Sequence, residues 1–149
     1  MSQNYEKILV AVDDSSAAEL GLKKAIVLAK QNMSHLVLVH VIDIRTYGLV
    51  ERGDVKYRSN IAAKRRQMLN QYQAACYHEG VPSTSAELSF GNPVSVIAKE
   101  MVKKHQPNLI VLGISRRNGL EKWLKGDFQQ RLSQQVPCDL LTIQVDKTS

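Results

Sequence analysis

The sequence predicts an α/β domain on a five-stranded parallel sheet, doubly wound with helices on both faces. Four short runs rich in Ile, Val and Leu and one weaker, partly alternating run punctuate the chain, and each of the first four in chain order is followed by a segment whose apolar residues recur at helical spacing. Capping or turn residues stand at most of the junctions. Strands alternating with helices pair in parallel through right-handed crossovers and carry helices on both sides of the sheet. At 149 residues the chain has the size of one domain, spanning 1–149.

The first strand is Ile8 to Val12, an apolar run stopped by Asp13-Asp14-Ser15-Ser16. Ser16 with Glu19 has capping-box spacing, and Leu22, Ala25, Ile26 and Ala29 then share one face of the first helix. His35 to Ile42 is apolar almost throughout, as expected of a strand covered on both faces. Arg45 to Tyr57 holds Gly48 and Gly53 without a steady period and reads as a long loop. The second helix then presents Ile61, Met68, Tyr72, Ala75 and Cys76 to the core, with Lys64, Arg65 and Arg66 on or beside the outer face, and stops at Gly80 and Pro82.

Ser85 to Phe90 alternates weakly and is the third strand. Gly91-Asn92-Pro93 puts Asn at an N-cap and Pro at the first helical position, and Val94, Ile97, Ala98, Met101 and Val102 form the buried face of the third helix. Asn108 to Leu112 is the fourth strand, closed by Gly113. Ile114 to Lys125 is polar and basic around Trp123, Phe128 to Gln135 is a short helix, and Cys138 to Val145 is the last strand.

Ligands of such sheets sit beyond the carboxyl ends of the strands, where the winding direction reverses. The candidate site therefore comprises the turns after the strands: Asp13 to Ser16, Asp43 onward, Gly91 onward and Gly113 onward. The segment from Gly113 to Gly126 combines three glycines with Arg116, Arg117, Lys122 and Lys125, so its backbone N–H groups and cations suit an anion. A net charge of +6 agrees with an anionic partner.

Several activities are disfavoured. The chain has no Walker A loop, no G-x-G-x-x-G after the first strand and no G-x-S-x-G elbow. Asp13 and Asp14 are adjacent, and neighbours at a strand end point apart, so one capping and one ligand-facing carboxylate is expected rather than a catalytic pair. His35, His40, His78 and His105 lack the spacing of a metal site or a nucleophile–base pair, which leaves packing and surface roles. Cys76 and Cys138 read as reduced, buried thiols. Lys64-Arg65-Arg66 has no interleaved aromatics, which argues against nucleic acid. No run approaches a membrane span. Met-Ser-Gln-Asn-Tyr-Glu-Lys leads straight into the first strand without the regions of a signal peptide, so a cytoplasmic location is expected. Binding rather than catalysis is the expected role.

Three segments together carry a family likeness: Lys7-Ile8-Leu9-Val10-Ala11-Val12-Asp13-Asp14-Ser15, Leu38-Val39-His40-Val41-Ile42-Asp43, and Asn108-Leu109-Ile110-Val111-Leu112-Gly113. With Gly91-Asn92-Pro93 and Pro137, they make nearly the whole chain resemble the universal stress protein family. The resemblance implies strand order 3-2-1-4-5, an adenine and ribose end lined by Ala11, Val12, Asp13 and Val41, and a cleft flanked by Asp13 and Gly113. It also implies a homodimer through the last strand, Leu140 to Val145. Where members of the family bind ATP with Mg²⁺, they carry Gly, two residues, Gly, nine residues, then Gly followed by Ser or Thr.

Gly113 and Gly126 are in register with that signature, but Arg116 replaces its second glycine and Asp127 its hydroxyl residue. Only with strain does Arg116 adopt the positive φ that a glycine takes freely. Asp127 exchanges a donor for an acceptor-only anion, and one like-charge contact at ~5 Å is worth roughly 3 kcal/mol at an effective dielectric of ~20. The resemblance thus implies a dimeric stress-response or signalling domain whose nucleotide cleft is degenerate. A genuine ATP-binding switch with at most slow hydrolysis is the alternative. A related enzyme class, the ATP pyrophosphatases, would place Ser-Gly-Gly-x-Asp-Ser after the first strand, where this chain reads Val12-Asp13-Asp14-Ser15-Ser16.

Overall fold

The computed structural model describes residues 4–43, 55–115 and 128–145. Its elements are β1 (Lys7–Ala11), α1 (Ser16–Asn32), β2 (His35–Ile42), α2 (Val55–His78), β3 (Ser83–Phe90), α3 (Pro93–Ser95), a π-helical stretch (Val96–Met101), α4 (Val102–His105), β4 (Leu109–Ser115), α5 (Phe128–Ser133) and β5 (Asp139–Val145). All strand pairs are parallel and the order is β3-β2-β1-β4-β5. From β1 the chain winds outward to β3, then returns to the other side of β1 for β4 and β5. The winding therefore reverses between β1 and β4.

Strand residues alternate between two cores. Ile8, Val10, Val12, Leu36, Leu38, Leu109 and Val111 join Leu22, Ala25, Ile26 and Ala29 of α1 and Leu69 and Cys76 of α2. Leu9, Ala11, Val37, Val39, Val41, Ile110 and Leu112 join Val94, Val96, Ile97, Met101, Val102, Phe128 and Leu132 on the other face. Each large aliphatic side chain fully removed from water here contributes ~1.5–3 kcal/mol, which is why β1, β2 and β4 are apolar at nearly every position.

The helices depart from the sequence reading in ways that have physical causes. Ser15, not Ser16, caps α1: its backbone is extended and its Oγ accepts from Ala18 N at 3.1 Å. In α2 only Leu69 and Cys76 are fully buried, Ala75 is exposed, and Arg65 is half-buried rather than outward. The buried face is turned by about one residue because α2 lies toward the edge of the sheet, over β2 and β3, where fewer positions are covered. Cys76 is a free thiol that burial pushes up to about 11 in pKa, and Cys138 is free and half-buried.

Asn92 and Pro93 occupy the expected cap and first position, with Asn92 Oδ1 accepting from Ser95 N at 3.1 Å. Beyond them the Val102 N–H bonds Ile97 O, the i→i+5 bond of a π turn, and Val96, Ile97, Met101 and Val102 are all buried. β3 begins at Ser83, two residues earlier than its alternation suggested, and β4 runs on to Ser115. α5 is two residues shorter than expected, ending at Ser133. No helix among the described residues is long and apolar enough to cross a membrane.

Candidate functional site

β1 ends short of both neighbours. Ala11 pairs with Val39 and with Leu112, yet β2 continues three residues beyond Val39 to Ile42 and β4 three beyond Leu112 to Ser115. The shortfall leaves a notch at the carboxyl edge, at the point where the winding reverses. Ala11 and Val41 belong to the same face of the sheet, both buried in the second core, and supply a small apolar wall. Val12 takes the opposite face, among the α1 and α2 side chains. Its N–H donates to Val39 O at 2.9 Å, and its carbonyl oxygen lies 2.7 Å from His40 Nδ1. Val12 thus borders the notch through backbone already engaged.

Asp13 stands over the notch. Its Oδ1 accepts from Ser15 N at 2.8 Å, closing the turn between β1 and α1. Among the described residues its Oδ2 takes no hydrogen bond. Asp14 is exposed and lies 3.4 Å from Arg65 Nη1, so the two carboxylates have different partners. The expected capping carboxylate is absent because Ser15 holds that place.

On the other side of the notch Gly113 lies within β4, paired with Ile143, rather than opening a loop. A Cβ at this position would fall 1.9 Å from Ala17 O, so the backbone of α1 fills the space a side chain needs. At the third rim, Gly91 N donates to Ile42 O at 3.0 Å with φ at +147°. That value favours glycine. A Cβ at Gly91 would also meet Val96 Cγ2 at 2.9 Å. Arg116, Gly126 and Asp127 lie outside the described residues.

Three residues that the sequence reading left outside the site support it. His40 is 5% exposed; burial first, then the Arg65 cation, lowers its pKa, opposed by the Val12 contact and the Asp13 and Asp14 charges. Tyr72 donates its hydroxyl to Asp13 O at 2.9 Å. Burial, followed by the charges of Glu19, Asp13 and Asp14, raises the Tyr72 pKa. Arg65 completes the group through Asp14. One signal was available: a histidine inside an apolar strand and a tyrosine on a core face must each find a polar partner.

The other histidines serve elsewhere. His35 contacts the hydroxyls of Ser83 and Ser85 at 2.5 and 3.0 Å, His105 meets Glu87 at 3.2 Å, and His78 stacks edge-on with Tyr77. Among the described residues no group of three or more His, Cys, Asp or Glu is placed to hold a metal. Among the described residues the notch offers an apolar wall, a carboxylate oxygen that takes no hydrogen bond, and backbone edges.

Comparison with known proteins gives the family and the fold. The chain is 32% identical over 143 residues to a universal stress protein of Staphylococcus aureus (strain USA300), covering 96% of this chain and 86% of that one. The solved structure of universal stress protein UspA from Lactobacillus plantarum superposes with a TM-score of 0.80 at 26% identity, over 95% of this chain and 99% of that one. Two more distant structures share the fold. One is an Arabidopsis thaliana family member with AMP bound, at a TM-score of 0.65 and 21% identity over 93% of this chain and 90% of that one. The other is a universal stress protein in complex with cAMP, at 0.64 and 13% over 95% and 98%. The profile of the universal stress protein family matches residues 4–144, and the chain belongs to that family.

Proposed function

We propose that the notch binds an adenine nucleotide, that its adenosine half is intact, and that its triphosphate half has been rewritten so that ATP with Mg²⁺ is held weakly or not at all. The observation that carries this reading is Asp13: one carboxylate oxygen is committed to Ser15 N, while the other faces no donor among the described residues. An acidic residue at the end of a parallel strand, beside the winding switch, is well placed to accept from ribose hydroxyls. Ala11 and Val41 would flank the base. Backbone and cations of the segment from Gly113 to Gly126 would meet a phosphate, with Arg116 gripping it and Asp127 repelling a longer chain.

The AMP and cAMP carried by two structural relatives support an adenosine monophosphate as the ligand class. Mg²⁺ is normally held by one or two carboxylates together with substrate phosphates, so a weakened triphosphate site also weakens the metal. In this reading the protein is a ligand-responsive signalling domain rather than an enzyme, and it acts as a homodimer joined at β5.

Equilibrium dialysis of desalted protein against labelled AMP, cAMP and Mg-ATP tests the reading. Binding of a monophosphate at least about tenfold tighter than Mg-ATP is expected, given the like-charge cost at Asp127. Low-micromolar binding of Mg-ATP refutes the rewritten half, and failure of all three nucleotides to bind refutes the whole reading.

A further inference from the structure

The β1–α1 turn is held from outside its own chain segment by residues of β2 and α2. His40 Nδ1 lies 2.7 Å from Val12 O, Tyr72 Oη lies 2.9 Å from Asp13 O, and Arg65 Nη1 lies 3.4 Å from Asp14 Oδ2. Three successive residues of the turn are thus each fixed by a different side chain. Tyr72 and His40 reach backbone carbonyls, so they set where the chain runs. Arg65 reaches a side chain on an exposed residue.

We infer that Tyr72 and His40 are positioning residues that clamp the β1–α1 turn, orient the Asp13 carboxylate and thereby set the affinity of the notch. This deepens the nucleotide reading above and, for its ligand, rests on it. The geometry ranks the three contacts. His40 is almost fully buried, and its bond to Val12 O is shielded from water. The Tyr72 ring packs against the first core, with its hydroxyl emerging at the turn, so ring position and hydroxyl direction are fixed together. The Asp14–Arg65 pair has an exposed partner, and such pairs contribute ~1 kcal/mol or less.

The clamp also joins the site to the rest of the molecule. Tyr72 forms part of the wall of a groove of about 660 Å³ between α1 and α2, with Leu22, Ile26 and Ala75 beside it. α2 thus bears on Asp13 through one hydroxyl.

The test uses Tyr72→Phe, which keeps the ring, with Tyr77→Phe as control, because Tyr77 is 78% exposed and its ring contact is with His78. Amide hydrogen exchange of Ser15, whose N–H is bound to Asp13 Oδ1, is followed by NMR in nucleotide-free protein. Dissociation constants for AMP and cAMP are measured in parallel. Loss of one hydrogen bond predicts exchange at Ser15 faster by about fivefold and monophosphate affinity lower by about threefold to tenfold. Exchange at Val10 and Leu38 stays unchanged. A general loss of stability would instead speed the strand amides as well and leave the ratio intact, which overturns the clamp. Unchanged exchange at Ser15 overturns it too, as does altered exchange with unaltered affinity in a protein that binds nucleotide. If wild type binds no nucleotide while Ser15 still exchanges faster in the variant, the ligand reading falls and the clamp stands.

Discussion

Gly21 of α1 and Gly113 of β4 meet face to face where the helix crosses the sheet: a Cβ on Gly21 would come within 2.9 Å of Gly113 N, and one on Gly113 within 1.9 Å of Ala17 O. Neither contact can be relieved by rotating a flexible side chain, since both partners are backbone. The pair lets the backbone of α1 lie directly against that of β4, next to the turn that carries Asp13. Gly113→Ala forces the first turn of α1 outward and is expected to destabilise by about 3 kcal/mol, lowering Tm by roughly 6–12 °C. Gly21→Ala makes the milder clash and recovers ~1 kcal/mol of helix propensity, so its loss is smaller. Urea unfolding of both variants checks the order, and a neutral Gly113→Ala would show that α1 is not seated on β4 as described.

That pair also marks where sequence reading stops. The apolar runs made β1, β2 and β4 legible, because a strand buried on both faces can hardly be written in any other residues. Asn92 and Pro93 announced their helix for the same reason: few other residues satisfy an N-cap and a first helical position. Gly113 looked like the start of a loop because a glycine after an apolar run is ambiguous, and only the position of Ala17 shows that it is a packing glycine inside a strand. The face of α2 was misjudged by about a residue because its apolar pattern is sparse and two buried positions, Leu69 and Cys76, define it. Asp13 was legible as a strand-end carboxylate. Tyr72, His40 and Arg65 were not legible as its supports, since contacts across 59, 28 and 51 residues leave no local pattern.

Burial lowers the pKa of His40 and, with Lys7 and His105, that of His35. The sign follows from linkage. Below ~6.5 the unfolded chain takes up protons at these positions while the folded chain resists, so their contribution is complete above that pH and is lost as pH falls toward the folded values. Wild type should therefore be less stable to urea at pH 5.5 than at pH 7.5, with a slope of at most about 1.4 kcal/mol per pH unit for each histidine. His40→Gln removes one titrating group and should flatten that slope. An identical pH profile in the variant means that His40 is as accessible to protons folded as unfolded.

Thr142 Oγ1, in β5 opposite Leu112, is buried and has no hydrogen-bond partner among the described residues. A buried hydroxyl left unsatisfied costs ~1–3 kcal/mol, and Val has nearly the same shape without the polar atom. Thr142→Val should raise stability by about 1 kcal/mol, seen as a Tm increase of roughly 2–4 °C. A destabilised variant would mean that the hydroxyl is satisfied in the folded protein.

The phosphate half proposed above to be rewritten predicts a gain of function. Asp127, outside the described residues, stands where the resemblance puts a hydroxyl residue in members that bind ATP. If Asp127 faces the terminal phosphates as proposed, Asp127→Ser removes a like charge worth up to roughly 3 kcal/mol at ~5 Å and supplies a donor. Affinity for Mg-ATP should rise by about tenfold to a hundredfold, with AMP affected far less because its single phosphate sits nearer the ribose. Isothermal titration of both ligands measures the contrast, and an equal change for both would remove Asp127 from the terminal-phosphate end.

Among the described strands β5 pairs with β4 alone, which puts an apolar strand at one edge of the sheet. Leu140, Leu141 and Ile143 are only half-buried there. Such an edge either carries charges that repel other chains or is covered by one, and from Leu140 to Val145 no residue is charged. Two copies related by a twofold axis would bring the same strand against itself and cover both edges at once. Sedimentation equilibrium at micromolar concentration should therefore give a mass of twice 16.7 kDa, and Tm should rise with protein concentration. Ile143→Lys sets like charges near each other across the axis and should shift the protein toward monomer while its circular dichroism stays that of a folded α/β chain. A wild-type monomer under these conditions rules out the β5 interface, and a dimer indifferent to Ile143→Lys places the contact elsewhere.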